Sequence, residues 1–288
     1  MRIAIIGAAG QVGQEFIKHC RREDLALWDI EDFDVCSLDA VDKALGSEQS
    51  FDVVMNLAAF HNVNACEQEQ ARAYAVNAIG AYNVAKAAAK HGLKVVFFSS
   101  DYVFGRDKTR SVPYVESDPV GPLNVYGASK VAGEQMVRAQ NPNHLIVRTS
   151  SLFGVVTSKK GWTFPEMIVN RARAGESLRV VTDQTMAPTY TYQLVERVLR
   201  LLGKDATGTV HICNSGQCSW YEFAERTLEI VGINYPIAKC STDAFPSPAL
   251  RPSYSAMTSE RLCDLGVEPL PNWADALRAY LKEKGLLP

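Results

Sequence analysis

A short apolar run, Arg2–Ile6, leads into Gly7-Ala-Ala-Gly10-Gln-Val-Gly13, and an amphipathic stretch, Gln11–Arg22, follows it. Few features narrow a fold as far as this one. Glycines at that spacing permit a tight turn, a close approach of the backbone to a pyrophosphate, and a helix packed hard on its strand. The N–H groups opening such a helix favour phosphate charge. Strand, glycine turn and helix in this order read as the first unit of a dinucleotide-binding sheet, with Gly7, Gly10, Gln11, Val12 and Gly13 against the cofactor.

The rest of the first half repeats the pattern. Apolar runs Leu25–Asp29, Val53–Ala58, Lys94–Ser99 and His144–Thr149 alternate with helix-like stretches Leu38–Leu45, Asn64–His91 and Val125–Ala139. Such alternation predicts an α/β fold: a Rossmann-type, doubly wound parallel sheet with helices on both faces. Asn64–His91 is rich in alanine, with two glutamates near its start, which favours one long helix, and Gly92 supplies its C-terminal cap. The second half is less regular. Helical stretches are expected at Phe164–Ala174, Thr191–Leu202, Trp220–Val231 and Trp273–Lys284, with prolines gathering at 236, 246, 248 and 252. No clean linker divides the chain. The expected organisation is a dinucleotide-binding domain over 1–150, rejoined by 183–213, with a smaller interleaved substrate-binding region from 151–182 and 214–288.

Asp29 ends the second apolar run, where an acidic residue takes the ribose hydroxyls of a dinucleotide. Ile30 and Glu31 follow, with no adjacent cation for a 2′-phosphate. The cofactor is NADH or NADPH, and this position leans toward NADH.

The chemical candidates lie further along. Phe97-Phe98-Ser99-Ser100-Asp101-Tyr102-Val103-Phe104 sits where a central strand should end, and ligands in open α/β sheets bind beyond the carboxyl ends of strands. Ser100 is the better placed hydroxyl, with Ser99 as its alternative. Tyr126 and Lys130 stand four apart in a helical stretch and share a face. An ammonium beside a phenol is expected to lower the tyrosine pKa, which suits proton transfer to a carbonyl oxygen.

Composition excludes other classes. The net charge is −2, so no basic field argues for nucleic acid. The N-terminal apolar run is too short for a membrane span or signal segment, and a cytoplasmic location is expected. Seven cysteines without a C-x-x-C and five scattered histidines suggest neither a disulfide framework nor a zinc site.

These motifs resemble the extended short-chain dehydrogenase/reductase superfamily and, within it, the dTDP-4-dehydrorhamnose reductase family. The resemblance rests on Gly7–Gly13, Asn56-Leu-Ala-Ala59, Val76-Asn77, Ser100–Phe104, Pro122–Glu134 with its Tyr126 and Lys130, Arg148-Thr149-Ser150, and Arg251-Pro252-x-x-Ser255. It implies NAD(P)H-dependent reduction of the 4-keto group of a nucleotide-linked deoxysugar. Tyr126 would be the proton donor, Lys130 its support and a ribose ligand, and Ser100 the hydroxyl where the family usually has threonine. Ala58, Ala59 and Asn77 would lie near the cofactor. Asp101, Tyr102, Phe104, Ser151 and Arg251 would lie near the substrate, Arg251 at its phosphates. Phe60–Ala65 and Ser151 depart from the family pattern beside the sugar pocket, which leaves the sugar open. Some relatives bind magnesium between subunits through glutamates. Glu15 matches one of these, but Tyr192 and Ala274 occupy other positions, so no metal is expected. A homodimer is left open. The competing functions are an epimerase of the same superfamily that retains NAD, and a non-catalytic dinucleotide-binding subunit.

Overall fold

The computed structural model describes residues 1–47, 50–156 and 161–287. Residues 48, 49, 157–160 and 288, which fall within the expected domain boundaries, lie outside the described residues.

Six parallel strands form the central sheet: β1 (Ile3–Ile6), β2 (Leu25–Trp28), β3 (Val53–Asn56), β4 (Lys94–Ser100), β5 (His144–Thr149) and β6 (Gly208–His211). Their order is 6-5-4-3-1-2. The chain therefore leaves β1 on one side to reach β2 and returns on the other side to reach β3. That reversal opens a crevice beyond the carboxyl end of β1, the place where such sheets take ligands. β1 and β3 are buried on both faces, as the unbroken apolar runs require.

Helices cover both faces. α1 (Gln11–His19) and α8 (Thr191–Gly203) pack on one side, where Phe16, Leu194, Val195 and Val198 meet Ile5 and Met55. α2 (Leu38–Leu45), α5 (Ala81–Lys90) and α6 (Val125–Gln140) cover the other. Full burial of each large apolar side chain contributes roughly 1.5–3 kcal/mol, so this two-sided core fixes the strand ends that carry the site.

The expected single helix over Asn64–His91 is instead broken. It consists of α3 (Val63–Gln68), α4 (Gln70–Tyr74), a π-helical segment Ala75–Gly80, and α5. Tertiary contacts override helix propensity here. Asn77 in the π segment accepts from the Phe60 N–H at 2.8 Å and donates to the Phe60 carbonyl at 3.1 Å and to Ser129 Oγ at 2.9 Å. α6 presses so close that a Cβ on Gly133 would lie 2.2 Å from the Asn77 carbonyl oxygen. An extra residue per turn at a functional site is a recurrent use of π geometry.

The remaining helices, α7 (Phe164–Arg173), α9 (Trp220–Ile230) and α10 (Trp273–Glu283), build a smaller layer around Phe153, Phe223 and Tyr280. α7 and α9 both open with capping boxes, Thr163 with Glu166 and Ser219 with Glu222. A two-strand parallel pair, Leu178–Val181 with Ile237–Cys240, lies beside them.

Candidate active site

The glycine turn shapes the first cavity. Gly7 has φ +87°, and a Cβ there would press on Leu57 and Ala58 at 3.0 Å. Gly13 is tighter: a Cβ would meet the carbonyl oxygens of Gly7 and Ala8 at 2.7 Å. Asp29 braces the turn from β2, accepting from the Ala9 N–H at 2.9 Å and from its neighbour Ile30 at 2.9 Å. The result is a cavity of about 520 Å³ lined by Gly7, Gly10, Gln11, Val12 and Gly13, by Asp29, Ala58 and Ala59, and by Tyr126 and Lys130.

These residues fit a dinucleotide by observations of their own. The turn has no space for side chains, α1 presents its N-terminus, and two buried polar atoms on the lining, Gln11 Nε2 and Thr149 Oγ1, have no hydrogen-bond partner. Among the described residues no group of three or more His, Cys, Asp or Glu is gathered to hold a metal ion. Glu15 accepts from Thr191 Oγ1 at 3.2 Å.

α6 begins where Asn124 accepts the Gly127 N–H at 2.8 Å, and this cap places Tyr126 in its first turn. Tyr126 faces the end of β4. Burial pushes the Tyr126 phenol up, and the Ser100 hydroxyl acts in the opposite direction. Burial pushes the Lys130 ammonium down to about 7, against the opposing charge of Glu134. Lys130 Nζ rests 4.0 Å from the centre of the Phe97 ring. The expectation that Lys130 lowers the Tyr126 pKa therefore needs correction: in this structure desolvation dominates both groups, a non-local effect that spacing along a helix does not reveal. Ser100 Oγ donates to Asp101 at 3.0 Å and accepts from the Tyr102 N–H at 3.1 Å. Ser99 instead donates to Glu134 at 2.6 Å, which commits its hydroxyl to the interior.

A second cavity, of about 320 Å³, is lined mostly by residues of the C-terminal half. Tyr102 and Arg251 line it, joined by a 2.9 Å hydrogen bond, together with Phe164, Trp220, Phe245 and Arg179. Tyr102 and Tyr126 meet edge to face with centroids 6.0 Å apart. One ring thus borders each cavity.

Three of the expected residues, Asn77, Asp101 and Phe104, stand behind the walls of these two cavities. Asn77 lines neither cavity; its amide is consumed in holding Phe60 and Ser129. Asp101 is buried and accepts from Ser100, Ser150 (3.0 Å) and Ser255 (2.6 Å), so it ties together three chain segments behind the site. Phe104 is buried and stacks on Tyr114 at 4.2 Å. Ser151 is half-buried with φ 44°, between Thr149 and Leu152 of the first cavity.

Several lining residues escaped the sequence reading. Arg72 and His61 border the first cavity together with Asp29, so an arginine does line the same cavity as that acid. No local pattern marks Arg72, which sits on an exposed helix face and pairs with Glu69 at 3.1 Å. Thr149 had a usable signal, because it ends a strand at the carboxyl edge of the sheet.

A glycine-rich βα turn with a tyrosine and lysine facing the same cleft from α6 defines the class, an extended short-chain dehydrogenase/reductase. Within that class the chain belongs to the RmlD substrate binding domain family, whose model matches residues 1–285. A dTDP-4-dehydrorhamnose reductase of Mycolicibacterium smegmatis is 37% identical, covering 96% of this chain and 84% of its own. The spore coat polysaccharide biosynthesis protein SpsK of Bacillus subtilis is 36% identical over 98% of each chain. The solved structure of a Bacillus anthracis dTDP-4-dehydrorhamnose reductase in complex with NADP superposes with TM-score 0.91 at 34% identity, covering 98% of this chain and 99% of that one. Among the described residues no helix is long and apolar enough to cross a membrane.

Proposed function

We propose that the protein reduces the 4-keto group of a dTDP-linked deoxysugar, converting dTDP-4-dehydrorhamnose to dTDP-rhamnose. The observation that carries the proposal is the edge-to-face contact between Tyr102, on the wall of the second cavity, and Tyr126, on the wall of the first, so that a substrate held beside Tyr102 would lie close to the phenol and to a dinucleotide. Relatives named for this reaction, at 33–37% identity over nearly the whole chain, support it.

NAD(P)H, held by the glycine turn of Gly7, Gly10 and Gly13 and by Asp29, would supply hydride. Tyr126 donates its phenolic proton to the oxygen that becomes a hydroxyl, as a general acid. A phenol whose pKa burial holds high is fully protonated at neutral pH and ready for that step. Lys130 offsets the tyrosinate charge left behind and would hold the ribose of the dinucleotide. Ser100 orients the phenol. Arg251 and Tyr102 hold the substrate's phosphates, and the aromatic wall of Phe164, Trp220 and Phe245 covers the remainder of the nucleotide. Residues 1–150 with 183–213 form the cofactor domain, and the interleaved segments form the substrate region.

For cofactor choice we favour NADH. Asp29 faces the cavity, whereas the Arg72 guanidinium is largely exposed and already paired with Glu69. A panel of dTDP- and UDP-linked 4-keto-6-deoxysugars, with NADH and NADPH absorbance followed and products identified, tests the assignment. Cofactor oxidation with the dTDP-linked 4-ketosugar supports it. Release of a sugar epimer with no net cofactor oxidation, from protein purified with NAD bound, would favour the epimerase alternative. Recovery of a partner protein without any turnover would favour a non-catalytic subunit.

A further inference from the structure

Thr149 occupies the last position of β5, and its hydroxyl is buried without a hydrogen-bond partner. Five side-chain polar atoms among the described residues share that condition: Gln11 Nε2, His19 Nε2, Asn56 Oδ1, Tyr114 Oη and Thr149 Oγ1. Of these residues, only Gln11 and Thr149 line the cofactor cavity. Buried polar groups in native proteins are nearly always paired, and an orphan on a cavity wall points to a ligand.

Its place along the cavity says which part of the ligand. Thr149 is the register partner of Ser100 across the β4–β5 ladder, so it stands at the chemical end, beside Tyr126 and Lys130. Asp29, the ribose acid, follows β2 at the opposite edge. Four strand spacings of ~4.8 Å, roughly 19 Å, separate β5 from β2. A dinucleotide lying across the strand ends with its adenosine ribose at Asp29 therefore brings its nicotinamide to Thr149.

The other polar groups at that end have tasks. Ser99 is bonded to Glu134 at 2.6 Å, Ser100 to Asp101 at 3.0 Å, and the Tyr126 ring lies against Tyr102 of the second cavity. A threonine hydroxyl both donates and accepts, and a carboxamide offers a carbonyl and an amine to match. We propose that the Thr149 hydroxyl hydrogen-bonds the nicotinamide carboxamide and fixes the rotation of the ring, and hence the face that it turns toward the substrate. Thr149 is on this account a cofactor-positioning residue. The proposal rests on the cavity being a nicotinamide-dinucleotide site.

Thr149→Val, which keeps the shape and removes the hydroxyl, tests it through binding. Three ligands are titrated against the purified wild-type and variant proteins: NADH by fluorescence, and by calorimetry ADP-ribose and reduced 3-acetylpyridine adenine dinucleotide, in which an acetyl group replaces the carboxamide. Loss of one hydrogen bond predicts NADH binding weakened about tenfold. ADP-ribose binding stays unchanged, and the wild-type preference for NADH over the acetylpyridine analogue disappears. Thr149→Ser restores NADH affinity. If the valine protein does not fold, Thr149→Ala carries the same comparison. Unchanged NADH affinity, or equal losses for NADH and ADP-ribose, would overturn the proposal while leaving the cofactor assignment intact. Absence of NADH and NADPH binding to the wild-type protein would overturn both.

Discussion

Lys130 carries an ammonium into a site nearly closed to water, above the Phe97 ring. Its pKa falls from 10.5 to about 7 because burial penalises the charged form. Between these values the unfolded chain holds a proton that the native protein has released, so this group makes stability rise with pH across that window. Below about pH 7 both states are charged and the native state bears the full desolvation cost. Urea midpoints of the cofactor-free protein should therefore rise between pH 6.5 and 9, and Lys130→Met should flatten that rise. Equal slopes in the two proteins would contradict the account. Tyr126→Phe removes only the hydroxyl. It should cut turnover by ~10²–10⁴-fold, the scale of general acid catalysis, while a fluorescence titration shows NADH still bound. The identities of Tyr126 and Lys130 were legible from their four-residue spacing and their place after the serine strand. Their electrostatics were not, since desolvation depends on residues far away in sequence.

α6 carries that pair, and a buried ion cluster locks its far end. Burial alone would push the Glu134 carboxyl up. Arg148, bonded through both oxygens at 2.8 and 2.7 Å, brings it below the usual carboxylate range, helped by Ser99 and Arg138. Breaking such a pair leaves an uncompensated buried charge, so Glu134→Gln should destabilise by ~3–5 kcal/mol. Chemical denaturation reads this directly, and a loss under 1 kcal/mol would show that the cluster is not holding α6. In the glycine turn after β1, an added Cβ on Gly13 would collide with two backbone carbonyls. Gly13→Ala should cost ~1–3 kcal/mol through overpacking, with NADH affinity falling as the turn opens. Elements of this kind were largely readable: the apolar runs mark the first five strands, and the glycine turn marks α1. The stretch over Asn64–His91 misled because alanine content speaks only for local propensity. Asn77, Gly80 and Gly133 bend it into a π segment through contacts that span tens of residues.

At the scale of the whole molecule, two cavities built by distant segments are linked by the contact of Tyr102 with Tyr126. Tyr102 and Arg251 lie 149 residues apart yet form one hydrogen bond, and no periodicity in the chain links them. The parallel sheet was legible because alternation is a local signal. The aromatic wall of the second cavity was not, because Phe164, Trp220 and Phe245 come from separate elements. Arg72 likewise reaches the cofactor cavity from an exposed helix, and on the proposed reading its balance with Asp29 sets the preference between NADH and NADPH. Asp29→Ala should weaken NADH use and narrow the gap to NADPH, read as kcat/KM for each cofactor. A wild-type preference for NADPH would assign the 2′-phosphate to Arg72 or His61. The central claim is net transfer of hydride to the sugar carbonyl, and isotope transfer tests it most directly. Incubating the protein with dTDP-4-dehydrorhamnose and stereospecifically [4-²H]-labelled NADH should place one deuterium at C4 of the product for each cofactor oxidised, seen by NMR. A product free of deuterium at C4 from both cofactor stereoisomers, or an epimerised sugar with no cofactor consumed, would contradict it.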